Sequence, residues 1–352
     1  MRGRGDRLEE AAAARELDRY LVTDLVNVRY LTGFTGTNGA CICGPRTRLF
    51  LTDFRYTERA EAEVSEWETI TVSADWLGGI AERLSGQVGF EDDQMSVRMA
   101  EKLKGKLGEG TELAAAGGEV EKLRRVKDAE ELRAIAEASK LGEEAWLWAI
   151  ERGFAGRSER DVALATEAKI RELGGEPSFP AIVAAGPNGA LPHAEPGERV
   201  IETGQLVVFD MGAKLDGYCS DGTRTFATGE VDEKAREVYD TVLRAQLAAL
   251  EAIEAGRNGE EIDSIAREVI VEAGYGEAFG HAVGHGVGLE VHEGPRLAQK
   301  SDDVLAPGEV VTVEPGIYLA GELGVRIEDF VVVRDDGCDN LSRLPKDLQI
   351  VD

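Results

Sequence analysis

Short apolar runs alternate with polar turns along the first 120 residues, and their spacing predicts alternating helices and strands. The pattern predicts a helix over 8–20 and an apolar strand over 20–26. Two further runs, 40–43 and 48–51, have the length and composition of a strand pair. We therefore expect this part of the chain to be of the α/β class.

A change of pattern near residue 120 indicates a domain boundary. The segment 114–118 is small and uncharged, and behind it 121–152 has a long helical pattern that is dense in charges. We place the boundary near 120–127 and expect one domain over 1–122 and a second over 123–352.

The second domain contains an internal repeat. The tripeptide Ala-Gly-Arg at 155–157 recurs at 255–257, an offset of 100 residues, and the segment 204–212 matches 308–316 at an offset of 104. Each copy reads as two helices, a strand and a hairpin. A repeat this long predicts two similar α/β halves that face each other across a pseudo-two-fold axis, and not an array of short units.

Carboxylates occupy equivalent places in the two copies. Asp210 ends the apolar strand of the first copy, Glu314 ends the matching strand of the second, and each hairpin then returns to another acid, Asp221 or Glu328. Taken singly, each acid is better explained as a solvated residue at a strand end. Because four buried carboxylates would repel one another strongly, the group as a whole favours a site that binds cations.

Histidine is scarce in this chain and concentrated in one place. Of the four histidines, His281, His285 and His292 lie within twelve residues in a glycine-rich segment, and His193 stands apart. A ligand set of one imidazole and four carboxylates suits Mn²⁺ or Co²⁺, with Fe²⁺ and Zn²⁺ as alternatives. Two divalent cations would balance the four negative charges and would lie about 3.5–4 Å apart.

The composition argues against several partners and locations. With 67 acidic and 40 basic residues the net charge is −27, which disfavours binding to nucleic acid or to an anionic membrane. The basic residues are 29 Arg and 11 Lys, so we expect a halophilic source, the alternative being an ordinary acidic protein. No apolar run is long enough for a membrane helix, the first residues do not resemble a signal peptide, and four cysteines do not make a disulfide framework. We therefore expect a cytoplasmic protein.

Five residues match, in order and spacing, the metal ligands of the pita-bread metallopeptidases: Asp210, Asp221, His285, Glu314 and Glu328. The segments 27–36 and 51–56 resemble the creatinase-type N-terminal domain. On these motifs the chain is identified as a member of the proline-directed branch of this M24-type family, which contains Xaa-Pro dipeptidase (prolidase) and Xaa-Pro aminopeptidase. The resemblance implies an α/β (α+β) fold, with a creatinase-like N-terminal α/β domain followed by a pseudo-two-fold pita-bread catalytic domain.

The resemblance also implies how the metals are held. Asp210 would chelate one metal ion, His285 and Glu314 would bind the other, and Asp221 and Glu328 would bridge both. A hydroxide that bridges the two ions would attack the carbonyl before proline. Glu314 would act as the proton shuttle.

Four further residues resemble those that contact the substrate in this family. His281 and His292 would steady the substrate carbonyl and the oxyanion, and His193 would close over the site. Arg326 lies two residues before Glu328, so a regular strand would place both on one face, where Arg326 would orient that ligand or contact the C-terminal side of the substrate. Arg296 is a weaker candidate for the same contact.

Several alternatives stay open. The expected substrate is a small peptide with proline at its second position, and the family usually forms homodimers. Dipeptidase and aminopeptidase are not separated, although the chain length slightly favours dipeptidase. The same fold also hydrolyses small C–N compounds in creatinase-like and ectoine hydrolase-like relatives, and some relatives that have lost the ligands are binding modules. All five ligands are present here, which disfavours creatinase and the binding module. Gly222 stands where relatives usually carry a larger apolar residue.

Overall fold

A computed structural model describes residues 3–351 of the chain. These residues divide between Arg124 and Arg125 into two compact units, which we call the N-terminal unit and the C-terminal unit. The domain limits 1–122 and 123–352 stay predictions.

The N-terminal unit alternates helices and strands, as its hydrophobic pattern predicted. Its helices are α1 (Arg4–Ala14), α2 (Leu25–Thr32), α3 (Thr57–Glu63), α4 (Trp76–Ala81), α5 (Val97–Lys104) and α6 (Glu119–Arg125), whose last residue lies beyond the division. Its strands are β1 (Arg19–Val22), β2 (Ala40–Gly44), β3 (Thr47–Thr52), β4 (Glu68–Thr71), β5 (Gln87–Phe90) and β6 (Glu112–Ala115).

One mixed sheet forms the centre of this unit, in the strand order β4-β3-β2-β1-β5-β6. The expected strand pair is confirmed, because β2 and β3 run antiparallel, whereas β1 and β5 run parallel. Apolar side chains of the sheet, such as Leu21 and Val88, pack against Ile80 of α4 and Leu103 of α5. Burial of this face against the helices is the main source of its stability.

Two predicted boundaries in this unit are wrong. The helix expected over 8–20 ends at Ala14, because Glu16 adopts a left-handed conformation (φ 58°) and N of Leu17 donates back to O of Ala12, a Schellman ending. The strand expected over 20–26 ends at Val22. Asp24 then caps α2 by accepting hydrogen bonds from two backbone N–H groups of its first turn.

The C-terminal unit contains the remaining helices and strands. Its helices are α7 (Ala129–Ile150), α8 (Glu159–Glu172), α9 (Glu233–Glu251) and α10 (Gly259–Glu272). The strands of its first half are β7 (Glu176–Pro177), β8 (Ile182–Ala185), β9 (Leu206–Asp210), β10 (Ala213–Leu215), β11 (Tyr218–Cys219) and β12 (Thr223–Ala227). Those of its second half are β13 (Gly284–Gly286), β14 (Glu293–Leu297), β15 (Val310–Val313), β16 (Gly316–Leu319), β17 (Leu323–Arg326), β18 (Asp329–Arg334) and β19 (Gly337–Asn340).

The helix expected over 121–152 is interrupted. It consists of α6 and α7, and Asp128 begins the second of them. The side chain of Asp128 accepts from the N–H groups of Glu130 and Glu131, while Glu131 accepts from the N–H of Asp128, a capping box that starts a new helix. The charge-rich pattern is continuous across this break, so periodicity alone did not reveal it.

The internal repeat corresponds to two halves with the same order of elements. The helix pair α7–α8 has its counterpart in α9–α10, and the second helix of each pair is capped by a short polar side chain, Ser158 or Asn258. Strand β9 lies in the sheet β12-β9-β8, and its counterpart β15 lies in the sheet β14-β13-β15-β18-β19. Each half has its own apolar core, which contains Phe209 in the first half and Val311 in the second. In residues 3–351 no helix is both long and apolar enough to span a bilayer.

Candidate metal centre

Strand ends bring the four acids of the predicted site together. Asp210 is the last residue of β9 and pairs in register with Thr223, the first residue of β12. Asp221 comes two residues before Thr223, so it lies near Asp210 at the same end of the strand pair. In the second half β15 ends at Val313, which pairs with Asp329 of β18. The antiparallel pairing therefore places Glu314 and Glu328 at one end of this second hairpin, as Asp210 and Asp221 lie at one end of the first.

His285 reaches the same place from the middle of β13. Its neighbours are glycines because the strand lies too close to other backbone for a side chain: a Cβ on Gly284 would lie 2.0 Å from O of Thr312, and a Cβ on Gly286 would lie 2.1 Å from O of Gly294. The close packing fixes the backbone of His285. Its Nε2 lies 3.2 Å from Oε1 of Glu314.

Three of the predicted ligands already have the spacing of a cation site. One ligand atom from each of Asp221, His285 and Glu328 lies within 4.8 Å of the other two. Nε2 of His285 is 3.7 Å from Oδ2 of Asp221. The charges of Asp210 and Glu314 both act on Asp221, so all five predicted ligands belong to one cluster.

The protonation behaviour of the cluster reflects too much negative charge in a buried place. Burial raises the pKa of Asp221 and of Glu328 well above their ordinary values, and the neighbouring carboxylates add to the shift. Burial likewise raises the pKa of Asp210. Burial acts to raise the pKa of Glu314 too, but the hydrogen bond and charge of His285, together with the charges of His281 and Arg326, outweigh burial and lower that pKa to about 2. Burial acts to lower the pKa of His285, but the hydrogen bond and charge of Glu314, together with the charge of Asp221, outweigh burial and raise that pKa to about 9.

Two carboxylate oxygens in this cluster fit a metal ion better than any protein group. Oδ1 of Asp210 and Oε1 of Glu328 are buried, and neither has a hydrogen-bond partner among the described residues. Buried polar atoms almost always have a hydrogen-bond partner, so two buried carboxylate oxygens without one require an explanation. Oxygen ligands with one imidazole nitrogen are a suitable donor set for Mn²⁺, Co²⁺ or Fe²⁺. The residues present therefore fit the divalent cations that the sequence predicted.

Arg326 organises the first half of this cluster. Its Nη2 donates to Oδ2 of Asp210 at 2.5 Å, and its Nε donates to Oγ1 of Thr223 at 3.0 Å. That hydroxyl in turn donates to Oε2 of Glu328 at 2.7 Å. The strand argument for Arg326 was wrong in one respect, because β17 ends at Arg326 and β18 begins at Asp329, so Glu328 lies between two strands. Thr223 joins the two side chains instead.

Tyr318 is a residue of the site that the sequence did not reveal. Its hydroxyl lies 2.8 Å from Nη1 of Arg326 and 2.9 Å from Nε2 of His281. It therefore links the arginine that binds Asp210 to a predicted substrate-binding histidine. Thr312, which donates to Oε1 of Glu314, was missed as well. Thr223 and Thr312 each lie two residues from an acid of the site, a spacing that could have indicated them.

The remaining histidines surround the cluster. His281 contacts Tyr318, and burial lowers its pKa. The ring of His292 is 4.4 Å from the ring of His285, and partial burial lowers its pKa. His193 is exposed and follows Pro192, whose carbonyl accepts a hydrogen bond from Nη1 of Arg326 at 3.2 Å.

Two other positions named from the sequence also lie at this site. Arg296 is exposed on β14 directly opposite His285 in the strand pairing, so the two side chains share one face of the sheet. Gly222 follows Asp221 and borders a cavity of about 30 Å³, which Trp146 and Phe330 also line. Apart from Gly222 itself and its two chain neighbours, no described residue has an atom within 4 Å of where a Cβ on Gly222 would be.

Comparison with known proteins identifies the family. Residues 133–335 match the model of metallopeptidase family M24, and residues 4–126 match the model of the creatinase/prolidase N-terminal domain. The chain belongs to metallopeptidase family M24. This M24 peptidase is 37% identical over 353 residues to a Xaa-Pro dipeptidase of Pyrococcus furiosus, an alignment that covers 99% of this chain and 100% of the relative.

Solved structures resemble the M24 peptidase over nearly its whole length. A Xaa-Pro dipeptidase from Bacillus anthracis has a TM-score of 0.96 at 40% identity, covering 99% of both chains. An X-Pro aminopeptidase from Thermotoga maritima has a TM-score of 0.91 at 35% identity, covering 97% of this chain and 100% of that one. The predicted pita-bread fold with a creatinase-type N-terminal domain is confirmed, and the protein is a hydrolase of a metal-dependent peptidase family. The dipeptidase and the aminopeptidase have similar TM-scores to this chain, so the fold does not distinguish the two activities.

Proposed function

We propose that this protein hydrolyses the peptide bond between an N-terminal residue and a following proline, in Xaa-Pro dipeptides or in longer Xaa-Pro peptides. The observation that carries the proposal is the cluster of carboxylates at equivalent strand ends of the two halves, joined by the imidazole of His285. Two buried carboxylate oxygens of this cluster have no hydrogen-bond partner within residues 3–351. The full-length similarity to a Xaa-Pro dipeptidase supports proline as the recognised residue.

Five residues would hold two divalent cations in this proposal. Asp210 would bind one ion, His285 and Glu314 the other, and Asp221 and Glu328 would contact both. When bound, such ions supply Lewis acidity toward a peptide carbonyl and lower the pKa of water, so that a hydroxide nucleophile is available near neutral pH. Mn²⁺ or Co²⁺ is our first expectation, with Fe²⁺ or Zn²⁺ as alternatives.

The chain's own groups then bind the peptide and move the proton. Glu314 is half-buried beside His285, so its carboxylate is suited to take a proton from the nucleophile and deliver it to the leaving nitrogen. His281 and His292 would donate to the substrate carbonyl oxygen and to the oxyanion, and His193 would close over the site from the first half.

Two arginines have different roles in this proposal. Arg326 donates to Asp210 and to Thr223, which commits its guanidinium to orienting metal ligands. Contact of Arg326 with the C-terminal side of the substrate stays a prediction. The exposed guanidinium of Arg296, opposite His285, is the better placed group for a substrate carboxylate.

We keep three further expectations as part of the proposal. The protein would act as a homodimer, in the cytoplasm, and in an organism that accumulates salt. The net charge of −27 supports the last of these, because carboxylate repulsion is screened at high ionic strength.

The test compares an Xaa-Pro dipeptide with an Xaa-Pro-Yaa tripeptide in the presence of Mn²⁺, at low salt and in molar salt, with a chelated sample as the blank. Cleavage of the dipeptide alone would identify a dipeptidase, and strong cleavage of the tripeptide an aminopeptidase. If neither peptide is cut although two metal ions are bound, the proposal is wrong. Small cyclic or amidino C–N compounds, the substrates of the second kind of relative, would then be tried.

A further inference from the structure

Lys127 carries a buried charge in the segment between α6 and α7. Its side chain is 1% exposed, and its Nζ lies 3.3 Å from Oε2 of Glu293, whose side chain is 6% exposed. Burial lowers the pKa of the Lys127 amine, and the carboxylate of Glu293 opposes that shift by favouring the charged form. Because desolvation largely cancels the attraction in such a pair, net stabilisation of the fold does not account for it.

Glu293 forms the base of the loop that carries His292, which we call the His292 loop (287–292). Its Oε1 accepts a hydrogen bond from N of Glu290 at 3.1 Å. Its carboxylate also fills the space beside Gly288, where a Cβ would lie 2.6 Å from Oε2. A displacement of the Glu293 carboxylate would break its hydrogen bond with N of Glu290 and so loosen the loop that carries His292.

A second cation, Arg125 at the end of α6, anchors the other end of β14. Arg125 donates from Nη1 to Oδ1 of Asp303 at 2.6 Å, and Oδ2 of Asp303 accepts from the backbone N of Arg296 at 2.8 Å. Strand β14 is therefore held near both ends by cations of residues 125–127. The His292 loop leads into the end that Lys127 holds.

The geometry points to Lys127 as a positioning residue: through Glu293 it holds the His292 loop in the conformation that directs the His292 imidazole toward the metal centre. The inference rests on the proposed role of His292 in catalysis. The His292 ring lies 4.4 Å from the His285 ring, so a small displacement of the loop changes how His292 faces a substrate on the metals. The four acids of the cluster lie on other segments. His285 lies two residues before the loop, but its N donates to Oγ1 of Thr312 at 3.0 Å, a contact that does not involve Lys127 or Glu293, so we expect the metal ligands to keep their positions when Lys127 is replaced.

The test uses Lys127→Met in the metal-loaded full chain, with Lys140→Met as the matched control. Lys140 undergoes the same chemical change but is 73% exposed on α7, beside Glu137. Hydrogen exchange of the 287–292 amides reports on the loop directly, and bound metal is measured in parallel. We expect faster exchange in Lys127→Met, unchanged metal content, and no change of either in Lys140→Met.

Turnover in two backgrounds separates positioning from a general structural role. We expect Lys127→Met to lower kcat on an Xaa-Pro dipeptide about tenfold when His292 is present, because a misplaced catalytic group loses its alignment. In a His292→Ala background the same change should alter kcat less than about twofold, since the two residues act as one unit. An equal loss in both backgrounds would overturn the proposal, as would unchanged exchange in the loop.

A second variant covers the case in which Lys127→Met does not fold. Lys127→Met combined with Glu293→Gln removes both charges, so no unpaired charge remains buried. Faster loop exchange in this double variant supports the positioning role, and wild-type exchange contradicts it. If the wild-type enzyme cleaves no Xaa-Pro peptide, the proposed function fails, and the exchange measurement still decides whether Lys127 braces the loop.

Discussion

The two halves of the C-terminal unit place a carboxylate at the end of the same strand and then surround it differently. Asp210, at the end of β9, is bound by the guanidinium of Arg326. Glu314, after β15, contacts the imidazole of His285 instead. The outcome is opposite protonation behaviour. Burial acts to raise the pKa of both acids, and it prevails at Asp210, whereas at Glu314 the imidazole of His285 and the charges of His281 and Arg326 outweigh it and lower the pKa to about 2. A duplicated scaffold thus supplies symmetric positions, and the neighbours of each acid determine its chemistry.

The difference extends to the residue after the second acid of each hairpin. In the second half this residue is Asp329, which is buried and binds Arg224 and Lys346. In the first half it is Gly222, which borders a cavity. The residue after Glu328 is thus held by buried charges, whereas the residue after Asp221 borders a cavity, which Phe330 of the second half also lines. The two halves are therefore unequal in packing as well as in chemistry.

The largest expected effect comes from removing one of the two acids that we propose contact both cations. Asp221→Asn should abolish metal binding and activity together, because an amide neither carries the charge nor bridges two cations as a carboxylate does. Metal analysis and peptide hydrolysis are the measurements. Asp216→Asn in the neighbouring turn, where the side chain is exposed, is the control. Activity retained in Asp221→Asn would contradict the bridging assignment.

A large effect on turnover alone is expected from the second half's exposed histidine. His292→Ala should leave the metal content intact and lower kcat by about 10², as removal of one oxyanion donor does in other enzymes. Steady-state kinetics together with metal analysis test this. If metal is lost instead, His292 is a ligand, and the present division between ligand and substrate residues is wrong.

A smaller effect should follow from replacing Arg326, which lies on β17 of the second half and binds Asp210 of the first. Arg326→Lys keeps the charge but cannot donate to Asp210, Thr223 and Tyr318 together. We expect metal affinity to fall by about tenfold, because groups that orient a ligand typically contribute this much. Calorimetric titration of the metal measures it. Unchanged affinity would mean that Asp210 needs no orienting partner.

The smallest expected effect concerns the cavity beside Gly222. Gly222→Ala should raise the free energy of unfolding by about 0.4–1 kcal/mol with activity kept, since the added methyl group meets open space and the unfolded chain loses freedom. Urea denaturation measures it. Gly212→Ala is the contrasting variant, because a Cβ there would lie 1.9 Å from O of Ser220 and should destabilise the fold. Destabilisation by Gly222→Ala would show that the cavity is needed.

The side chains that the structure brings together at the strand ends could be named from the sequence because the signals for them are local, while their role as metal ligands stays a prediction. An acid at the end of an apolar strand, and a second acid one hairpin later, are features of adjacent residues, and the repeat doubled the signal. The break between α6 and α7 was equally local, since the capping box of Asp128 and Glu131 is readable in the sequence, but helical periodicity across 121–152 obscured it.

Contacts between distant segments account for what the sequence could not reveal. Tyr318 enters the site because β16 folds back on β17 and brings its hydroxyl to Arg326, while His281 arrives from a loop before β13. No spacing rule joins these positions. The Lys127–Glu293 pair spans 166 residues in the same way. Predicting such residues requires the paired strands and not only the pattern along one of them.

Mutations in the segment Gly284–Gly286 should be harmful for two different reasons, loss of folding at the two glycines and loss of chemistry at His285. At 284 and 286 a side chain would collide with backbone carbonyls, which cannot rotate aside, so every substitution should reduce the amount of folded protein. At 285 many substitutions should leave abundance near normal and remove activity. A saturation library scored separately for abundance and for catalysis would therefore show loss of abundance at codons 284 and 286. At codon 285 it would show loss of catalysis with abundance largely kept.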